Sequence, residues 1–225
     1  MNPKESIMHS IWLSWSSGKD SAFALKQLQE SEDYKVERLV TTVTDEFDRV
    51  SMHSTRVSLL RKQAEMLGLP LEIVSIPFPC TNEIYEQRMK ALIVKAQEAG
   101  ISHIAFGDIS LEDVRRYRED LFKGTGVEPL FPIWGVDSKQ LSRLLVSEGY
   151  KAKITCVDPK QLSENFAGKD FSEDFLDELP ATVDPCGEYG EFHSFVYDAP
   201  MFSAPIQVSV GEVVSRDGFV FADVS

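Results

Sequence analysis

Trp12-Leu-Ser-Trp-Ser-Ser-Gly-Lys-Asp-Ser-Ala-Phe-Ala-Leu25 is the stretch that decides the fold. The apolar run from Ile11 to Trp15 reads as a buried strand, and it breaks into small residues at Ser16, Ser17 and Gly18. Ser21 then opens a helix-period stretch with Ala22, Ala24, Leu25 and Leu28. A strand, a tight loop and a helix N-terminus in succession make an anion cradle. Loop N–H groups converge, hydroxyls add donors, and the helix dipole favours negative charge. A phosphate chain is the ligand that such a cradle suits.

Outward from this unit, strands and helices alternate. Val36 to Val43 reads as a second strand, and the helical spacing from Ser54 to Leu67 stops at Gly68. Leu71 to Ile76 reads as a third strand, Asn82 to Ala99 as a long helix, Ile101 to Phe106 as a fourth strand and Leu111 to Phe122 as a helix. Pro129 to Trp134 is a short apolar element. The rhythm predicts an α/β fold, a parallel sheet with helices on both faces, whose ligands sit at the carboxyl ends of the strands. Ser138 to Gly149 gives a further helix and Ala152 to Val157 a further strand. Beyond Asp158 the pattern changes to a short acidic helix at Ser172 to Leu179. Short strands follow at Gln207 to Val210, Val213 to Ser215 and Phe219 to Ala222, with a turn at Asp217-Gly218. Two units are expected: residues 1–131, and a smaller C-terminal α/β subdomain, 132–225.

The loop is not a Walker A motif, because Leu13 takes the first Gly position and Asp20 follows Lys19 where a Mg²⁺-binding hydroxyl belongs. No Gly-x-Gly-x-x-Gly occurs here either. Ser16-Ser-Gly-Lys-Asp-Ser21 resembles instead the Ser-Gly-Gly-x-Asp-Ser pyrophosphate loop of ATP pyrophosphatases, with Ser17 in place of the first Gly. That resemblance implies a grip on the β,γ-phosphates and attack at the α-phosphate, giving AMP and pyrophosphate. It also implies that Asp20 helps place Mg²⁺. The six residues alone leave open an ordinary strand–loop–helix corner, with Asp20 in the first helical turn where the macrodipole favours it.

Composition sets bounds. A chain of 225 residues that is 43% hydrophobic can bury a sizeable core. No apolar stretch approaches the ~20 residues of a membrane helix. Met1 to Ser10 lacks the charged-then-apolar pattern of a signal peptide. Cys80, Cys156 and Cys186 are widely spaced, which argues against a zinc site or disulfide framework and for a cytoplasmic protein. A net charge of −13 argues against non-specific nucleic-acid binding, although Arg115, Arg116 and Arg118 form one small basic cluster.

Further candidates lie where the sheet's ligand edge is expected. Gly107 allows close backbone approach after the fourth strand, and Asp108 beside it serves ribose, metal or substrate, or caps the next helix. Thr41, Thr42 and Thr44 end the second strand where an adenine meets backbone groups, or are there for β-propensity alone. His53 faces the phosphates or the acceptor, or is structural. The second dense constellation is Asp184-Pro-Cys-Gly-Glu-Tyr-Gly-Glu-Phe-His-Ser194. Gly187 and Gly190 make it a poor helix or strand, while Glu188, Glu191 and His193 bring titratable groups together for amine, metal or general-base work. Cys186 reads as an inert thiol, with no neighbour to lower its pKa.

Trp15-Ser-Ser-Gly-Lys-Asp-Ser21, Gly107-Asp-Ile109, Pro129-Leu-Phe-Pro-Ile-Trp134 and Gly187-Glu-Tyr-Gly-Glu-Phe-His-Ser194 occur in the order seen in the diphthine–ammonia ligase-like family, which the chain resembles from residue 11 to about 202. This family is a branch of the adenine nucleotide α-hydrolase-like ATP pyrophosphatases. The departures are Ser17 for Gly, and Ser194 where Thr is commoner. The resemblance implies a HUP-type α/β domain that binds ATP and Mg²⁺, with a C-terminal substrate-binding domain. It implies that a carboxylate is activated as an acyl-adenylate and amidated by ammonia, the named acceptor being diphthine on elongation factor 2. On this reading Ser16, Ser17, Gly18 and Ser21 hold the leaving pyrophosphate, Lys19 adds charge and Asp20 places the metal. Thr42, Gly107 and Asp108 line the nucleotide site. Glu188, Glu191 and His193 position the acceptor or deprotonate ammonium. The rivals are a tRNA-modifying ATP pyrophosphatase and a nucleotide-binding regulator without turnover. A homodimer is left open.

Overall fold

The structure, a computed structural model, describes residues 8–225. Most of the segment read for a leader therefore lies outside the described residues. Strand β1 (His9–Ser14) runs through the middle of a parallel sheet, with Ile11, Trp12 and Leu13 all buried. A strand covered on both faces needs such a continuous apolar run. β1 pairs on one side with β2 (Tyr34–Thr44) and on the other with β5 (His103–Ala105), and both pairings are parallel. β4 (Leu71–Ile76) extends the sheet beyond β2, and β6 (Glu128–Leu130) extends it beyond β5. The two-residue β3 (Arg49–Val50) pairs antiparallel with the end of β2. The parallel strands thus run β4-β2-β1-β5-β6, and the order reverses between β1 and β5. That reversal opens a crevice at the carboxyl ends of the strands, where ligands bind in sheets of this kind.

Helices cover both faces. α3 (Asn82–Glu98) and α4 (Glu112–Phe122) pack Met89, Leu92, Ile93 and Phe122 against Trp12, Val40, Val74 and Ile104. On the opposite face α1 (Lys19–Glu30) and α2 (Val57–Leu67) bury Leu25, Leu28, Leu60 and Ala64 against Ile11, Leu13 and Leu39.

After β6 comes α5 (Ser138–Ser147), whose first turn is capped by Asp137 through the Gln140 amide at 2.9 Å. β7 (Lys151–Val157), the short α6 (Glu173–Glu178), β8 (Phe192–Asp198), β9 (Val210–Arg216) and β10 (Phe219–Val224) follow. The four strands form an antiparallel sheet in the order β8-β7-β10-β9. Asp217 and Gly218 both hold positive φ, 52° and 85°, as the hairpin turn read from the sequence requires. Two sequence expectations change here. Residues 207–209 are not strand, and β9 is one strand starting at Val210. The irregular reading of residues 184–194 stops at Glu191, because Phe192, His193 and Ser194 open β8 and pair with β7. The core does not divide between the units: Ile154, Phe192 and Val196 join α1 and β1 in one apolar cluster.

Candidate active site

Ser17 is the hinge of the loop that joins β1 to α1. Its φ of 69° is left-handed, which costs a non-glycine residue about 1–2 kcal/mol. Glycine at this position of the pyrophosphate-loop pattern would adopt it freely. The strained residue is fixed from several directions. Ser17 Oγ lies 2.8 Å from Thr55 Oγ1, and the Ser17 carbonyl accepts from the Val196 amide at 2.9 Å. Gln63 is fully buried and donates Nε2 to the carbonyls of Ser17 (3.1 Å) and Val196 (2.6 Å), while its Oε1 accepts from Trp15 Nε1 at 2.8 Å. Three groups that would be costly to bury unpaired are therefore satisfied together. Within the loop, Ser16 Oγ meets Ser21 Oγ at 3.1 Å and Ser21 Oγ donates to the Gly18 carbonyl at 2.9 Å.

The loop at residues 184–191 closes over this cradle. Lys19 is buried; its ammonium bonds both oxygens of Asp20, at 3.0 and 2.9 Å, and the Cys186 carbonyl. Burial opposes the charge on Lys19, but Asp20 beside it, with a smaller contribution from Asp184, leaves its pKa raised. The Lys19 amide donates to Ser194 Oγ at 3.3 Å. Glu191 is buried and folds its own loop, accepting from the amides of Asp184 and Tyr189, each at 2.9 Å. It lines neither cavity at the site. Glu188 points the other way. Its Oε1 accepts from the amides of Ile109 (3.1 Å), Ser110 (2.7 Å) and Leu111 (3.3 Å) at the head of α4. Burial raises its pKa, against those amides.

Two adjoining cavities occupy the crevice. The larger, about 700 Å³, is lined by Trp15, Thr42, Met52, Tyr85 and Met89 among others; the smaller, about 230 Å³, by Lys19, Asp20, Ser21, Gly107 and Asp108. Ser16, His53, Arg118, Glu188 and His193 line both. Gly107 is needed for close approach, since a Cβ there would stand 3.0 Å from the Ser21 amide nitrogen. Asp108 does not cap α4. Arg118 holds it through two hydrogen bonds, 2.6 and 3.1 Å, and stacks its guanidinium 4.0 Å from the Phe106 ring centre.

Sequence reasoning placed Arg118 in a basic cluster; the fold separates it from Arg115, which pairs with Glu119 and stacks on Trp134. Gln63, Thr55 and Tyr85 went unread as site residues. Thr55 and Gln63 carry no motif, and only the three-dimensional closure of α2 on β8 assigns them work. Burial pushes the Cys156 thiol up to about 12 and Cys186 higher still, so neither is a thiolate at neutral pH. Among the described residues no helix is long and apolar enough to cross a membrane.

Residues 8–129 match the family model for the diphthamide synthase N-terminal domain, and residues 137–221 match that for the diphthamide synthase C-terminal domain. The diphthine–ammonia ligase of Mus musculus is 27% identical, over 93% of this chain and 86% of its own length. That of Homo sapiens is 28% identical, over 78% of this chain and 68% of its own. The Schizosaccharomyces pombe ligase is 27% identical, and only 36% of its length is matched. The chain belongs to the diphthamide synthase family.

Proposed function

We propose that this chain is an ATP-dependent amide ligase that adenylates a carboxylate and transfers the acyl group to ammonia. The observation that carries the reading is the shared wall of the two cavities, where the phosphate loop meets Glu188 and His193. The apolar larger cavity suits an adenosine. The smaller one, with the hydroxyls of Ser16 and Ser21 and the charge of Lys19, suits a triphosphate. Residues 1–131 then bind ATP, and residues 132–225 supply the acceptor side. The relatives' name, diphthine–ammonia ligase, suggests diphthine as the acceptor and ammonia as the nitrogen donor.

Among the described residues no three His, Cys, Asp or Glu side chains cluster to hold a metal unaided. That fits Mg²⁺ bound chiefly by the triphosphate, with one carboxylate from the protein. Asp20, in the smaller cavity, is the residue to hold it. A Mg²⁺ held by Asp20 would supply charge neutralisation for the pyrophosphate. The acceptor carboxylate attacks the α-phosphorus, and the bond to the β-phosphate breaks while Ser16 and Ser21, which line the smaller cavity, keep hold of pyrophosphate; Ser17 and Gly18 line neither cavity and shape the turn between them. Glu188 and Glu191 fix the loop that presents the acceptor. Chromatography of ATP products with diphthine-bearing elongation factor 2 and ammonium tests the reading. Acceptor-dependent AMP and pyrophosphate are expected; acceptor-dependent ADP and phosphate would overturn it.

A further inference from the structure

Two imidazoles from opposite halves of the chain meet where the cavities join. His53 comes from the segment between β3 and α2, and His193 from β8; their ring centres are 4.7 Å apart with planes at 42°. Both line both cavities. His53 Nδ1 lies 3.0 Å from the Ser194 carbonyl oxygen. A carbonyl only accepts, so Nδ1 carries the ring proton and Nε2 keeps its lone pair. The ring rests on the phosphate loop, because a Cβ built on Gly18 would stand 2.8 Å from His53 Cε1. His193 Nε2 is buried and has no hydrogen-bond partner among the described residues. A buried nitrogen left unpaired costs free energy, which a donor reaching it would recover.

The charges around the pair are already matched. Asp20 is bonded by Lys19, Asp108 by Arg118, and Glu188 by three backbone amides. Of these carboxylates Glu188 alone has no cationic partner, and it is turned to the head of α4, while the Lys19 ammonium repels a small cation at the pair. Burial holds both rings neutral, His53 down to about 4, and Lys19 reinforces the effect at each. The surroundings favour an uncharged guest that can donate an N–H.

We propose that His53 and His193 seat the nitrogen nucleophile as neutral ammonia, not ammonium, with His193 in the Nδ1–H form and its Nε2 receiving the proton released on attack. The inference rests on the ligase reading above. The ammonia lone pair forms the C–N bond to the acyl carbon. The acyl C–O bond to AMP breaks, and its electron pair leaves on the AMP phosphate. One N–H proton passes to His193 Nε2 and from there to solvent. A weakly basic imidazole suffices, because the nitrogen becomes acidic only after it has attacked.

Long-range proton–nitrogen spectra of the histidine-labelled full-length protein with Mg–AMP test the seat directly. Ammonium chloride is added at pH 6.5, where ammonia is scarce, and at pH 9.0, where it is abundant. We expect both rings to stay neutral from pH 6 to 9, and the His193 Nε2 signal to move saturably at pH 9.0 only. The accompanying shift at His53 disappears in His193→Ala. Protonation of either ring above pH 6, equal responses at the two pH values, or no response at pH 9.0 overturns the seat. With diphthine-bearing elongation factor 2 and ATP, His193→Ala should raise the KM for ammonia at least tenfold while acceptor-dependent adenylation falls far less. An unchanged KM overturns the seat. Absence of acceptor-dependent AMP from the wild type would instead overturn the ligase reading and leave the spectra to decide the seat.

Discussion

The Glu188 carboxylate accepts the Ser110 amide at 2.7 Å, joining the C-terminal loop to the head of α4 across 78 residues of chain. An anion held by three consecutive amides at a helix N-terminus is in the field it prefers. The same contact fixes one wall of both cavities.

Removing that carboxylate should therefore act in two ways. Glu188→Gln keeps an acceptor oxygen for the amides and is expected to leave nucleotide affinity within a few-fold while acceptor-dependent turnover falls. Glu188→Ala should in addition cost about 1–3 kcal/mol of stability, because the amides of Ile109, Ser110 and Leu111 lose their acceptor. Isothermal titration with ATP and urea denaturation separate the effects. A parallel loss of ATP affinity in the Gln variant would make the loop part of the nucleotide site.

Asp20→Asn removes the partner of a buried ammonium. The cost should be about 1–3 kcal/mol, the range for a lost hydrogen bond to a charged group, reduced by the 27% exposure of the Asp20 side chain. The variant should still fold, yet lose Mg-dependent ATP turnover. Wild-type turnover in the folded variant would exclude Asp20 as the metal's carboxylate.

Gly107→Ala tests the approach of the β5 loop to α1. The new methyl meets backbone rather than a flexible side chain, with the Asp20 carbonyl carbon and Ser21 Cα both at 3.1 Å. The start of α1 must shift, which is expected to cost about 1–3 kcal/mol and to weaken ATP binding more than tenfold. Thermal denaturation with and without ATP reads both, and unchanged binding would show that the cradle tolerates the shift.

Stability should fall as the pH drops from 7 towards 4.5. The folded pKa of His53 and that of His193 lie below the ordinary imidazole value, through burial first and the neighbouring charges after it. The unfolded chain then binds more protons than the folded one across that window, so acid favours unfolding. Glu188, raised by burial, works in the opposite direction near the foot of the window. The comparison that isolates the imidazoles is with His193→Gln, whose urea midpoint should depend less on pH. An identical pH dependence would show that His193 is not held neutral.

Much of the parallel sheet was legible because local patterns and the sheet agree. The buried run at Ile11, Trp12 and Leu13, the small residues after it and the apolar spacing of α1 all point to one strand–loop–helix unit. The start of β8 was not legible. Gly187, Gly190 and the two glutamates dominate the composition, and the strand that begins at Phe192 exists through its pairing with β7. The resemblance named Glu188, Glu191 and His193 together, yet chemistry divides them: one glutamate holds another loop, one holds its own, and the histidine alone keeps an unpaired nitrogen. Such assignments depend on which amides lie within hydrogen-bond reach, which no spacing along the chain encodes.

Gln63 carries a last consequence. Its side chain reads Trp15, Ser17 and Val196 at once, so the left-handed turn at Ser17 is held from the far side by β8. A fragment ending after β6 would keep every residue of the phosphate loop and lose the strand that braces it. Excised in this way, the first half should bind nucleotide poorly although no residue touching the phosphates is missing. The same dependence means that grafting a second half from a distant relative has to carry the backbone register of β8 with it, because the amide and carbonyl of Val196 complete the loop's geometry.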